Sequence, residues 1–317
     1  MYIRTSDGSE QGLSYYSLGD TPTSPLEADR RFKRVAALVT GGLKAAKNAI
    51  PHLPGTGQQE LLSFMTTLLD NFFPSGHGLI DARAQVLRQS QKATVQVNVR
   101  DREGTLWPFE HRARLYLSDQ SGFRQSGDHY TGIFSSIRLF TRALHDMTPA
   151  HAGLVALHEM VHMMFAMIRR FEQRFGAETA ARLLSRQPWR LLVLSGFTPH
   201  RERLERHVRD LLRVLPIPME APALAASLVE EAFAAMFEVT VDEAIARSLR
   251  TKPSKTQTSI LVTADFPPRE FLRYYVLERG FAVTEKQLGS GEAQQIFKRM
   301  TSDVDALAAA LRKHLDG

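Results

Sequence analysis

The alternation of apolar and polar positions divides the chain into three stretches. Residues 1–25 are polar, hold Gly, Ser, Thr and two prolines, and read as a loose N-terminal tail. Residues 26–92 read as an N-terminal helical region. Its first segment, Leu26 to Ile50, has apolar positions at helical spacing, with Gly41 and Gly42 weakening the middle and Pro51, Pro54 and Gly55 ending it. Helices over 58–73 and 78–91 follow. At Ala93 the period changes from that of a helix to that of a strand. "ATVQVNVR" alternates with Val95, Val97 and Val99 on one face, "DREG" marks a turn, and "HRARLYLSD" (111–119) alternates again. "GIFSSIRLF" (132–140) is a third candidate strand. Two or three such strands predict a small antiparallel sheet. Beyond them Thr148 is suited to cap a helix and Pro149 to begin one, which should run to about Arg170. Further helices are predicted over 177–194, 199–214, 221–250, 268–279 and 301–315, with "TKPSKTQT" (251–258) as a connection. The expected fold class is therefore α+β, mostly helical with a small antiparallel sheet.

Composition narrows this picture in three ways. The chain has 317 residues and no cysteine, which excludes disulfides, thiolate ligands and a cysteine nucleophile. No apolar run long enough for a membrane span is evident, and the first residues lack the apolar core of a secretory signal. The expectation is a cytoplasmic protein, or one exported without a cleavable signal peptide, as an effector or toxin delivered into another cell would be. The net charge of +6 is concentrated in one place. Residues 169–213 contain 11 arginines against Glu172, Glu178, Glu202, Glu205 and Asp210. Such a segment suits an acidic protein surface or substrate, or else a solvated face whose arginines pair with nearby carboxylates. It lacks the interleaved aromatics of a nucleic-acid site, so nucleic acid is not an expected partner.

The candidate chemistry lies in "LVALHEMVHMMFAMI" (154–168). Two histidines, His158 and His162, interrupt a run that otherwise wants to be buried, with Glu159 between them. Four residues on a helix advance about 400°, so both imidazoles project from one face about 6 Å apart along the axis. Two such rings can bind one metal ion. Glu159, about 100° round from His158, can stand beside that ion and accept a proton from water on it. Backbone carbonyls or a carboxylate are the alternative partners for two buried histidines.

"HEMVH" on a helix that follows a small sheet resembles the zincin metallopeptidases. The resemblance covers roughly residues 93–250 and places a zincin-like domain at 93–317, with 169–213 as an Arg-rich helical insertion. It implies Zn²⁺, a two-lobed cleft, and an edge strand for a peptide or protein substrate, supplied by "RARLYLS" or "GIFSSIRLF". Phe165 and Ile168 stand where metzincins carry Gly and His, so that branch is excluded. Gluzincins take a third ligand from a later helix, and "SLVEEAFAAMFEVT" (227–240) matches their E-x-x-A pattern at Glu231 and Ala234. Ala235 departs from the aspartate common at that place. Glu231, flanked by Ser227, Ala234 and Ala235, is favoured over Glu230, which stands beside Phe233 and Phe237. Glu238 shares the face of Glu231 and is a candidate to support a ligand. His200 and His207 are outside candidates for the third ligand. Tyr274, Tyr275, His129 and Tyr130 are undecided candidates for oxyanion stabilisation. The expected activity is zinc-dependent hydrolysis of peptide bonds, with His158, His162 and Glu231 on the metal and Glu159 as the base. The rival expectation is a binding or regulatory module that docks through its arginine-rich helices, with a structural metal or none.

Overall fold

Helix α1 (Pro25–Ala49) starts where the polar tail meets a cap. Ser24 Oγ accepts from the Glu27 amide at 3.2 Å while the Glu27 carboxylate accepts from the Ser24 amide, so two otherwise orphaned donors are satisfied. In the computed structural model, residues 24–70, 91–100, 105–118, 127–131, 135–185, 189–196, 199–214, 221–251 and 291–316 are described. A 3-10 turn at Ile50–His52 leads into α2 (Thr56–Asp70). Four strands follow: β1 (Gln91–Arg100), β2 (Leu106–Ser118), β3 (Gly127–Thr131) and β4 (Ser135–Phe140). Then come α3 (Thr141–Leu144), α4 (Pro149–Phe175), α5 (Ala177–Leu184), α6 (Arg190–Gly196), α7 (Pro199–Val214), α8 (Ala221–Leu249) and α9 (Gly291–Asp316). The helices expected over 78–91 and 268–279 lie outside the described residues, apart from Gln91, which begins β1.

The expected fold class does not hold. The protein is mostly helical rather than α+β with an antiparallel sheet. Its strands form a small mixed sheet in the order β1-β2-β4-β3. β1 and β2 are antiparallel, with Ala93 opposite Ala113, but β2 and β4 run parallel, with Leu115 opposite Ile137. β3 occupies the edge and β4 returns between it and β2, which is why neighbouring strands share a direction. Period-2 patterning specifies the faces of a strand, not the direction of its partner. Both strands expected to offer a free edge, "RARLYLS" in β2 and "GIFSSIRLF" ending in β4, are interior. Among the described residues the edges are β1 and β3, and β3 packs against α4.

One hydrophobic core runs from Phe32 in α1 to Leu315 in α9. Leu115, Leu117, Ile137 and Leu139 carry the inner face of the sheet into it, while α4 lies at its centre. The α1–α4 crossing explains the glycines that weaken the α1 pattern. A Cβ on Gly42 would stand 2.6 Å from Gly153 Cα, so these backbones touch where any side chain would separate them. By length and hydropathy α4 is apolar enough to cross a bilayer, contrary to the expectation of no such segment, but 83% of its most apolar window is buried inside this fold. α4 continues past Arg170 to Phe175 and stops at Gly176, whose φ of +88° ends the helical path. The helix expected over 177–194 is divided into α5 and α6, and α9 begins ten residues before its pattern suggests.

Candidate metal centre

Two helices carry the candidate site. On α4, Thr148 Oγ1 accepts from the His151 amide at 3.3 Å and Pro149 opens the first turn, as the sequence anticipates. Three turns on, His158 and His162 stand on the face turned to α8, with their rings 5.1 Å apart. The neighbouring Leu157, Met160, Val161, Met163 and Met164 are buried, so α4 is held by packing over most of its circumference. On α8, residues 232–237 are all buried, which orients Glu230, Glu231 and Glu238 toward α4.

The three expected ligands converge. His158 Nε2 and His162 Nε2 are 3.3 Å apart. Glu231 Oε2 lies 3.3 Å from the first nitrogen and Oε1 lies 3.3 Å from the second. Ligand atoms about 2.0–2.1 Å from a tetrahedrally bound zinc are separated from one another by about 3.3–3.4 Å. The nitrogen–nitrogen separation matches the edge of such a tetrahedron, and because each nitrogen faces a different oxygen of Glu231, one donor atom from each residue lies within 4.8 Å of the others. The other nitrogen of each ring also has a carboxylate. His158 Nδ1 is 3.2 Å from Glu238 Oε2, and His162 Nδ1 is 3.5 Å from Glu230 Oε2. A carboxylate on Nδ1 keeps the proton there and presents the Nε2 lone pair to the other side, the arrangement by which ligand histidines are oriented. Glu230 in turn is ion-paired with Arg169.

The electrostatics follow from this crowding. Burial opposes charge on His158, but Glu231 and Glu238 outweigh it and hold the ring well above its ordinary value. Burial acts likewise on His162, yet Glu231 and Glu230 lift it to about 9. Glu231 is held well below the usual carboxylate range, because the two imidazoles overcome the cost of its burial. Glu230 is lowered too, with Arg169 and His162 offsetting its burial. Three carboxylates, two imidazoles and one guanidinium are thus neutral as a group when both rings are protonated. They are equally neutral when each ring has released one proton to solvent and one divalent cation stands in the place of the two protons. The donor set fits a divalent ion in charge, atom type and spacing.

Glu159 is buried, at 7% exposure, directly after His158. Of the open questions left by the sequence, the structure puts Glu231 between the rings and Glu230 behind His162. Position 235 holds a buried alanine, and the carboxylate beside His158 Nδ1 is that of Glu238. His207 does not join the group: its Nδ1 is 2.8 Å from Asp303 Oδ2, at the contact of α7 with α9. The side chain of His200, together with Tyr274 and Tyr275, lies outside the described residues, and His129 and Tyr130 are placed only by backbone, in β3. Sequence reasoning missed Arg169. Its signal is present, since it follows His162 by seven residues and so shares its face of α4. Several arginines of 169–213 are paired, as the solvated-face expectation has it: Arg203 with Asp303, Arg209 with Glu205 and Arg213 with Asp210, besides Arg169. Comparison with protein families, with curated proteins and with solved structures finds no match for this chain.

Proposed function

We propose that this chain is a zinc-dependent hydrolase acting on peptide bonds, with His158, His162 and Glu231 holding the metal. The observation that carries this reading is the convergence of the two Nε2 atoms, 3.3 Å apart and each 3.3 Å from one oxygen of Glu231, backed on both rings by Glu238 and Glu230. When bound, zinc lowers the pKa of a coordinated water toward about 7 and polarises a carbonyl. The residues of the chain do the rest. Glu238 and Glu230 hold the imidazoles in the tautomer that leaves Nε2 unprotonated. Glu159 accepts a proton from the attacking water at its carboxylate and returns it to the leaving amine. The buried surroundings of α4 and α8 keep the dielectric low, so these charges act strongly. A helix-borne "HEMVH" followed by a carboxylate on a second helix is the feature shared with gluzincins, and it supports peptide rather than phosphate chemistry.

The test is cleavage of a fluorescence-quenched peptide library by the purified chain, with and without a zinc chelator. Chelator-sensitive cleavage that returns on adding zinc is the expected result. A zinc-loaded chain that cleaves nothing across the library would favour the docking-module alternative instead.

A further inference from the structure

One helix holds Glu230 by both of its carboxylate oxygens. Oε2 lies 3.5 Å from His162 Nδ1, and Oε1 accepts from a guanidinium nitrogen of Arg169. Both partners belong to α4 and stand seven residues apart, about 10 Å along the axis. Cα–Cβ bonds on a helix tilt toward its N-terminus, so the long Arg169 side chain reaches back along the face that carries His162. The carboxylate from α8 is thereby clasped between a ring and a guanidinium. The carboxylate behind the other ring is built differently. Glu238 faces His158 Nδ1 at 3.2 Å, and among the described residues no arginine or lysine is paired with it.

We propose that Arg169 is a positioning residue for the metal centre, fixing the Glu230 carboxylate in the orientation that holds the His162 ring to its ligand position. The inference rests on the metal-binding half of the proposed function and not on peptide hydrolysis. The division of the two oxygens carries it: the oxygen that Arg169 leaves unoccupied is the one that faces the ring. A guanidinium is planar and directional, so it fixes where that second oxygen points as well as supplying charge. Burial opposes the charge on Glu230, and Arg169 leads the groups that offset it. Without Arg169 the carboxylate keeps a single anchor and can turn to other rotamers. A ligand histidine whose Nδ1 partner turns away loses both its orientation and part of its basicity. The Arg169 side chain is 44% exposed and that of Glu230 12%. An ion pair with one partner so exposed adds little to fold stability, so the effect of Arg169 is expected at the ring and not in the fold. Glu238 is the internal control, since it backs His158 without an arginine.

The experiment measures zinc affinity of the full chain by competition with a calibrated chelator, arranged as double-mutant cycles. Arg169→Met should weaken zinc binding about tenfold, the lower end of the range for partners that orient a metal ligand. Arg169→Lys keeps the charge and should recover part of that loss. In a Glu230→Gln background, Arg169→Met should cost no more than about twofold further, whereas in a Glu238→Gln background it should cost its full amount, as independent sites do. Helical circular dichroism should be the same in every variant. An arginine that served only the fold would not couple to one carboxylate and spare the other. Unchanged zinc affinity in Arg169→Met, or an undiminished loss in the Glu230→Gln background, overturns the proposal. Zinc binding with the expected coupling but no peptide cleavage leaves the positioning role standing and removes the hydrolase. A wild type that holds no zinc removes the metal centre and this role with it.

Discussion

Two imidazole nitrogens and a carboxylate brought together in one buried cluster need either protons or a cation between them, and each residue around that cluster has a separable task. Glu159 is the proposed base, so Glu159→Gln should keep its zinc and lose about 10²–10⁴-fold in turnover, the range set by general acid–base catalysis. Retained turnover with normal zinc would remove Glu159 from that role. Glu238 and Glu230 act through the rings they orient. Glu238→Ala and Glu230→Ala should each weaken zinc affinity about 10–100-fold, measured by competition with a calibrated chelator. Protonation gives a third handle. His162 has a folded-state pKa of about 9, above its ordinary 6.5. In the metal-free protein the stability from its charged contacts is fully present below about pH 6.5 and is lost as the pH rises through about 9. Urea midpoints of the metal-free chain should fall across that window, whereas zinc affinity should rise, because the metal must displace the protons. The proximity of His158 and His162 was legible in sequence because helical spacing alone puts them on one face. Arg169 was not, because an exposed arginine next to Arg170 looks like any solvated charge until Glu230 is placed opposite it.

At the scale of elements, α4 and α8 have to meet at close range for the cluster to exist, and α4 is held from behind by α1. Gly42 and Gly153 make that contact backbone to backbone, since a Cβ on Gly153 would lie 2.6 Å from Gly42 Cα. Gly153→Ala gains about 1 kcal/mol of helix propensity. It meets a steric cost of about 1–3 kcal/mol or more from overpacking. Net destabilisation in urea, with weakened zinc binding, is the expected outcome; unchanged stability would mean the crossing is looser than described. The positions of α1, α2 and α7 were close to their sequence patterns because each has a clear 3.6-residue period, whereas α8 was legible as a long, largely apolar run rather than by its period. The glycine pair was misread as a weakness because sequence shows the missing side chain and not the neighbour that requires its absence. The sheet was misread for a related reason. Alternation marks Leu115 and Leu117 as inward-facing, which they are, but nothing in "HRARLYLSD" or "GIFSSIRLF" records that β3 takes the edge and leaves β2 and β4 parallel.

For the molecule as a whole, the site is not appended to the fold but crosses its middle. One core joins α1, α4, α8 and α9, and 83% of the most apolar window of the helix that carries the histidines is buried within it. A buried cluster of this kind exchanges two protons for one divalent ion without changing its charge, which makes metal content the quantity on which everything else depends. The direct measurement is the zinc content of purified wild type beside His162→Ala and Glu231→Ala, after equilibration with a chelator of nanomolar affinity. One zinc per wild-type chain, with loss of that zinc in both variants while their helical circular dichroism is retained, is the predicted result. A wild-type chain that holds no zinc, or a Glu231→Ala variant that holds it as tightly as wild type, would contradict the account.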